Sequence, residues 1–222
     1  MTKNLDLNGL QSIANKYDLF YIDLWGVIHN GINLHHEAIA VLKELKKNNK
    51  MFVLLTNAPR PNETVRNFLY KMGMDKDLRK HVFTSGEAAL NYLKKFLISK
   101  KFYHIGPPRD FDLFNLFEKN KCEEIIESEY LLCTGLFDDH DKDLIYYKNL
   151  FEKHVNKKMI CTNPDLIVDR GEVRELCAGS VAMVFEKMGG EVVYFGKPHP
   201  EVYNQSIDCL LYTSDAADEI AS

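Results

Sequence analysis

No run of about 18 consecutive apolar residues occurs in this 222-residue chain, so no membrane-spanning helix is expected. Residues Met1 to Tyr17 lack the apolar core of a secretory signal. The five cysteines, Cys122, Cys133, Cys161, Cys177 and Cys209, contain no Cys-x-x-Cys pair. Free, buried thiols in a reducing cytoplasm are therefore expected, and the cytoplasm is the expected location. Positive charge is not in excess: 28 Lys and Arg face 32 Asp and Glu, a net charge of −4. Neither nucleic acid nor an anionic membrane is an expected partner of such a surface. There is no internal repeat and no low-complexity linker. Tryptophan is nearly absent, and the single one, Trp25, stands at a position that matters.

What is present is a globular composition, 45% hydrophobic and 27% charged. The length suits one large domain, or a core with an inserted module. Residues 8–17 have the spacing of a short amphipathic helix. Residues 18–24, apolar from Leu19 to Ile22, read as a central parallel strand. Asn30-Gly31 signals a tight turn. Glu37 to Asn48 has helical spacing and ends at Asn48-Asn49. Met51 to Leu55 is a second buried strand, ending in Thr56-Asn57. A helix follows over Asn62 to Met72, closed by Gly73. Val82 to Thr84 is a short strand, with Ser85 as the expected N-cap of a helix to Phe96. Alternating strands and helices imply a parallel sheet with right-handed crossovers.

From about Lys100 the texture changes to shorter elements that could form a separate α/β module. Strands are expected at 101–105, 130–134 and 159–162, and helices at 111–118 and 141–154. Beyond them, Ala178 to Met188 reads as a helix and Val192 to Phe195 as a strand. That strand runs into Gly196-Lys197-Pro198, and Glu201 to Asp208 begins a further helix. Cys209 to Glu219 reads like the translation of a transposase-type sequencing adapter, so residues 209–222 are taken as an artefactual tail. Asp215, Asp218 and Glu219 lie in it, and without those three acids the charge of −4 becomes −1.

One design occurs three times: an apolar strand with polar residues at its C-terminal tip. The tips carry Asp23, Thr56-Asn57 and Lys197. In an open parallel sheet such tips converge on one crevice. A carboxylate, a hydroxyl and an ammonium suit phosphoryl transfer, with attack by the carboxylate and charge stabilisation by the cation. Singly, each is weak: an aspartate after a strand is more often a cap, Thr-Asn a turn, and Gly-Lys-Pro a solvated loop.

In combination these residues resemble the haloacid dehalogenase-like (HAD) superfamily, class IIA, the NagD-like branch. The matching segments are Asp23-Leu24-Trp25-Gly26-Val27, Leu54-Leu55-Thr56-Asn57 and Phe195-Gly196-Lys197-Pro198, with Cys161-Thr162-Asn163-Pro164-Asp165 and Cys177-Ala178-Gly179-Ser180. The resemblance implies an α/β fold: a Rossmann-like parallel-sheet core with an inserted α/β cap. The expected division is core over 1–99, cap over 100–168, and an incomplete second part of the core over 169–208. It implies a magnesium-dependent hydrolase of a small phosphate ester, acting through an aspartyl-phosphate. Asp23 would be nucleophile and magnesium ligand, and Trp25 would offer its backbone carbonyl to the metal. Thr56 and Asn57 would bind the phosphoryl group, and Lys197 would stabilise its charge. Asn163 and Asp165 would help to choose substrate. The cap is a surface through which copies could pair.

Two departures stand out. Position 25 is normally an aspartate that protonates the leaving oxygen and then activates water, and an indole can do neither. A subgroup of class IIA carries Asp-x-Trp-Gly-Val as its usual form. His29, His199 and Asp165 are the nearby candidates for a replacement, while His35-His36 read as solvated. The second departure is the acidic fourth motif that completes the magnesium site, which does not follow Lys197. The chain as written is therefore expected to bind magnesium poorly, to be inactive, and to leave a sheet edge exposed. Two alternatives share these residues. One is a phosphate- or nucleotide-binding protein with weak or no turnover. The other is a dehalogenase-type hydrolase, against which the long cap and the Thr-Asn-Pro-Asp segment argue.

Overall fold

The computed structural model describes residues 10–170 and 173–220. Residues 8 and 9 of the expected first helix lie outside them. Along the chain run α1 (Gln11–Ala14), β1 (Leu19–Ile22), α2 (His36–Lys47), β2 (Met51–Thr56), α3 (Asn62–Lys71), α4 (Lys76–Arg79), β3 (Val82–Thr84) and α5 (Ser85–Phe96). There follow β4 (Phe102–Ile105), β5 (Lys121–Cys122), β6 (Tyr130–Cys133), α6 (Leu144–Phe151), β7 (Lys158–Cys161), β8 (Ile167–Arg170), β9 (Val173–Leu176), α7 (Ala178–Lys187), β10 (Glu191–Tyr194) and α8 (Pro200–Ile220). The chain divides into two compact units, Met1–Leu55 with Arg66–Val82, and Thr56–Val65 with Phe83–Ser222.

The first unit is built on β1 and β2, which pair in parallel with Leu19 opposite Met51 and Ile22 opposite Leu54. Phe52 to Leu55 are all buried, as expected of a strand covered on both faces. Leu54 N–H donates to His81 O (2.9 Å), just ahead of β3. Helix α2 carries Glu37 in its first turn and Lys46 and Lys47 in its last, matching the helix dipole. It ends at Asn48, and Asn49 takes the left-handed conformation (φ 54°) that stops a helix.

The second unit holds a five-stranded parallel sheet in the order β10-β7-β6-β4-β5. Its core gathers Ile105, Leu131, Tyr147, Phe151, Met159, Val181 and Phe185 with the buried thiols Cys133 and Cys161. Cys122 and Cys177 are also buried and form no disulfide, as the spacing implied, and Cys209 is half-buried. Burial pushes the Cys161 thiol up to about 12, so it is an inert packing group. Strand β10 pairs with β7, Tyr194 opposite Cys161, so one sheet joins the strands between residues 100 and 168 to the strand that leads into Lys197. Helix α8 continues from Pro200 to Ile220, through the adapter-like segment.

Several elements differ from the sequence reading. The N-cap of α5 is Thr84, not Ser85: its hydroxyl accepts from Glu87 N–H (2.9 Å), and its own N–H donates to Asn62 Oδ1 (2.9 Å). The helix expected over 111–118 is two short 3-10 segments, Pro108–Leu113 and Asn115–Asn120. Phe111, Phe114 and Phe117 recur every third residue, the period of a 3-10 helix. Phe114 and Phe117 pack on Phe102 with ring centroids at 5.4 and 5.6 Å. The helix expected over 141–154 begins only after Asp143, whose carboxylate accepts from Ile145 and Tyr146 N–H. The antiparallel hairpin β8–β9 was not expected at all.

His104 lies on β4, 7% exposed, its Nε2 2.8 Å from Thr134 Oγ1. Burial lowers its pKa to about 4, with Lys121 adding to the shift. The native state therefore holds His104 neutral, while the unfolded chain takes up the proton from about pH 6.5 downwards. This stabilisation is complete above pH 6.5 and is lost as the pH falls towards 4. Unfolding in urea at pH 7 and pH 4.5 should show a loss of about 2.5 kcal/mol from this residue, which His104→Gln removes from the pH difference.

Candidate functional site

In the second unit, Asn57 joins three stretches that are far apart in sequence. Its side-chain Nδ2 donates to Asp165 Oδ1 (2.8 Å) and to the backbone carbonyl of Lys197 (3.1 Å). Its Oδ1 accepts from the backbone N–H of Lys197 (2.7 Å). The side chain is thus engaged at both polar atoms, and Asn57 is buried, 7% exposed. The fit is tight. Gly196 has φ +127°, and a Cβ there would fall 2.7 Å from Asn57 Oδ1 and 2.6 Å from Pro164 Cδ. Glycine alone permits this approach.

The Thr162–Asp165 loop leaves the C-terminal end of β7. Asn163 Oδ1 accepts from Asp165 N–H (2.9 Å), a local turn that sets the carboxylate of Asp165. The start of α7 holds the loop from behind: Gly179 N–H donates to Asp165 O (3.1 Å), Cys177 N–H to Leu166 O (2.9 Å) and Ser180 Oγ to Leu166 O (2.5 Å). A Cβ at Gly179 would meet Pro164 O at 2.3 Å. The Cys177-Ala178-Gly179-Ser180 segment is therefore the backing of this loop. Asn163 and Lys197 are half-buried and Asp165 is exposed.

Thr56 ends β2 and is buried, and its Oγ1 accepts from Ala58 N–H (3.3 Å). The loop after it is tied down by a residue the sequence reading did not single out, Arg60. Its guanidinium donates to Arg109 O (2.9 Å) and Asp110 Oδ1 (3.2 Å) and lies 3.6 Å from Asp112 Oδ2. Burial raises the Asp110 carboxyl, opposed by the Thr134 hydroxyl and by Arg60. The available signal was position, since Arg60 closes Thr56-Asn57-Ala58-Pro59-Arg60.

In the first unit, Asp23 follows β1 directly and is half-buried. The turn behind it is anchored by the buried Leu24 and Ile28. Leu24 O accepts from Ile28 N–H (2.8 Å) and His29 N–H (3.1 Å), and Gly26, at φ +75°, donates its N–H to His29 O (2.8 Å). Trp25 stands edge-on to His29, with centroids 5.5 Å apart, and a Cβ on Gly31 would lie 2.8 Å from its ring. His29 is buried, and its Nδ1 accepts from Gly31 N–H (3.0 Å). Burial lowers its pKa, the Asp23 charge acting in the opposite direction. The ring of His29 thus packs edge-on against Trp25 with its Nδ1 engaged by Gly31. His199 stacks on Tyr194 at 5.0 Å.

Among the described residues, no three His, Cys, Asp or Glu side chains are gathered so that they could hold a metal ion. The Asp23 carboxylate and the Trp25 carbonyl are oxygen donors of the kind magnesium takes, but they make two of about six positions. The donor type fits, and magnesium commonly fills its remaining positions with waters and substrate phosphate oxygens. No helix among the described residues is long and apolar enough to cross a membrane.

Residues 20–117 match the family model described as haloacid dehalogenase-like hydrolase. Among solved structures, the chain is similar to a haloacid dehalogenase-like hydrolase from Brucella suis 1330, at 29% identity over 95% of this chain and 80% of that one, with TM-score 0.84. It is also similar to a putative nagD protein, at 25% identity over 88% and 77% of the two chains, with TM-score 0.66. A 4-nitrophenylphosphatase from Thermotoga maritima shares the fold, at 24% identity over 89% and 75%, with TM-score 0.68. No curated protein matches the chain. The motifs, the α/β architecture with its parallel sheets and these likenesses agree: over residues 20–117 the chain matches the haloacid dehalogenase-like hydrolases, and as a whole it is similar to their solved members, a nagD protein among them.

Proposed function

We propose that the protein is a cytoplasmic phosphoric monoester hydrolase acting on a small phosphorylated molecule. The observation that carries this reading is the Asn57 clamp, which ties the loop after Thr56 to Lys197 and to the Thr-Asn-Pro-Asp loop. A hydrolase family whose members transfer a phosphoryl group needs such loops held in register, because misplacement of about 1 Å costs on the order of 100-fold in rate.

In this reading Asp23 attacks phosphorus, a new P–O bond forms to its carboxylate, and the bond to the leaving oxygen breaks. Water then cleaves the aspartyl-phosphate and releases phosphate. Lys197 offsets charge on the transferring group, and Thr56 and the backbone amide of Asn57 hold its oxygens. Asn163 and Asp165 face the rest of the substrate. Magnesium, with Asp23 and the Trp25 carbonyl among its ligands, would supply the remaining positive charge. The core over 1–99 and 169–208, the cap over 100–168 and pairing of copies through the cap are part of the same proposal, with 209–222 outside it.

Trp25 sets the test. With no proton to offer the leaving oxygen, the enzyme should depend steeply on leaving-group acidity. p-Nitrophenyl phosphate should turn over at least about 100-fold faster than a primary alkyl phosphate, since proton donation contributes roughly 100- to 10,000-fold. Trp25→Asp should narrow that gap. Equal rates on both esters would overturn the assignment of Trp25. A second reading, a phosphate-binding protein without turnover, draws on the lodging of Trp25 between His29 and Gly31. It requires phosphate to bind while no ester in a broad panel is hydrolysed.

A further inference from the structure

The parallel sheet of the second unit has its first strand, β4, flanked by β5 on one side and β6 on the other. The chain steps from β4 to β5 in one direction and then crosses to β6 in the other. Such a reversal opens a crevice beyond the carboxyl ends of the two strands, the place where open α/β sheets hold ligands. A cavity of about 590 Å³ lies there, lined among others by His104 and Gly106 from the end of β4 and by Phe137 beyond β6. That volume is in the range of small-molecule sites.

Its lining has a definite chemistry. Tyr103 and Phe137 meet nearly at right angles (77°, centroids 6.5 Å apart), and Phe137 and Tyr146 do the same (83°, 6.1 Å). His140 braces Tyr146 face to face at 3.6 Å. Three rings so set make an aromatic corner with π-faces turned in different directions. Around it stand four carboxylates, Glu118, Glu123, Asp138 and Asp139, against Lys121 within the lining. Lys121 is 3.3 Å from Glu123, and Arg109 reaches Asp138 at 2.8 Å. Four acids facing two cations leave the rim negative, a surface that repels a phosphate ester.

We propose that this crevice is a second ligand site, separate from the phosphate chemistry, and that it takes a small organic cation of the quaternary or alkylated ammonium type. Aromatic faces attract such a cation through the ring quadrupole, and its methyl groups bury against them. The carboxylate rim supplies the complementary charge. The site is independent of the hydrolase reading, because neither Asp23 nor Lys197 takes part in it.

The test uses the full chain, isotopically labelled, titrated with choline and separately with 3,3-dimethylbutan-1-ol, its uncharged carbon counterpart. Choline should shift the amide signals of Gly106, Lys121 and Phe137 and bind at least about tenfold more tightly than the neutral compound. Glu118→Gln and Phe137→Leu should each weaken choline about threefold to tenfold, and saturating inorganic phosphate should leave its affinity unchanged. Equal affinity for the two compounds, shifts that avoid these residues, or displacement of choline by phosphate would each overturn the proposal. Glu118 is exposed, so its variant tests charge without disturbing the fold.

Discussion

Asp23→Asn is expected to abolish phosphate-ester hydrolysis by the full-length protein in magnesium, with a loss of at least about 1,000-fold in kcat. Asparagine matches aspartate in size, and the turn behind position 23 is held by backbone bonds to Leu24 O and His29 O, so the fold should be untouched. On the proposed reading, what is lost is the anionic oxygen that attacks phosphorus. The proton that the lost charge favours on His29 should also bind more weakly, since Asp23 raises that pKa. Two readouts therefore separate chemistry from folding: steady-state release of phosphate, and NMR titration of His29. Hydrolysis that persists in Asp23→Asn would remove the aspartyl-phosphate route.

Asn57→Ala is expected to be the most damaging substitution among the residues that do not carry the chemistry. It deletes the donors to Asp165 and to Lys197 O and the acceptor of Lys197 N–H at one stroke. Asn57 is buried and Lys197 half-buried, so the backbone groups of Lys197 lose this partner with only partial access to water. The cost should be about 2–4 kcal/mol in unfolding free energy, since each buried polar group stranded costs about 1–3 kcal/mol. Activity should fall about 100-fold through misplacement of Lys197 and Asp165. Asn91→Ala, which removes an exposed bond to Gln205, is the control and should change neither quantity. An Asn57→Ala protein with unaltered stability would show that the clamp does not hold these loops.

The strands and the long helices were legible because periodicity and caps are local. Met51–Thr56 and Val82–Thr84 follow from short apolar runs, and the end of α2 follows from Asn48-Asn49. The 3-10 pair at Pro108–Asn120 was misread because its phenylalanines also satisfy a helical spacing over so short a span. Only their packing on Phe102 decides between the two periods. The hairpin β8–β9 was missed because neither Ile167-Val168-Asp169-Arg170 nor Val173-Arg174-Glu175-Leu176 alternates apolar and polar residues. Asp169 and Arg174 pair across it at 2.8 Å, and such a pair is invisible until the register is known.

The sequence by itself determined the family likeness and the residue types at the strand tips, because a motif is a local string and its order along the chain survives without coordinates. It also announced the anomaly at Trp25, since an indole in place of a carboxylate is a chemical fact before it is a structural one. Tertiary structure decided what those residues touch. The side chain of Asn57 is committed to Lys197 and Asp165, separated from it by 140 and 108 residues, and His29 is committed to Gly31 and Trp25. The same is true of the aromatic corner formed by Tyr103, Phe137 and Tyr146. Hydrogen bonds and ring contacts depend on distance and angle in space, which the order of residues along a chain does not contain.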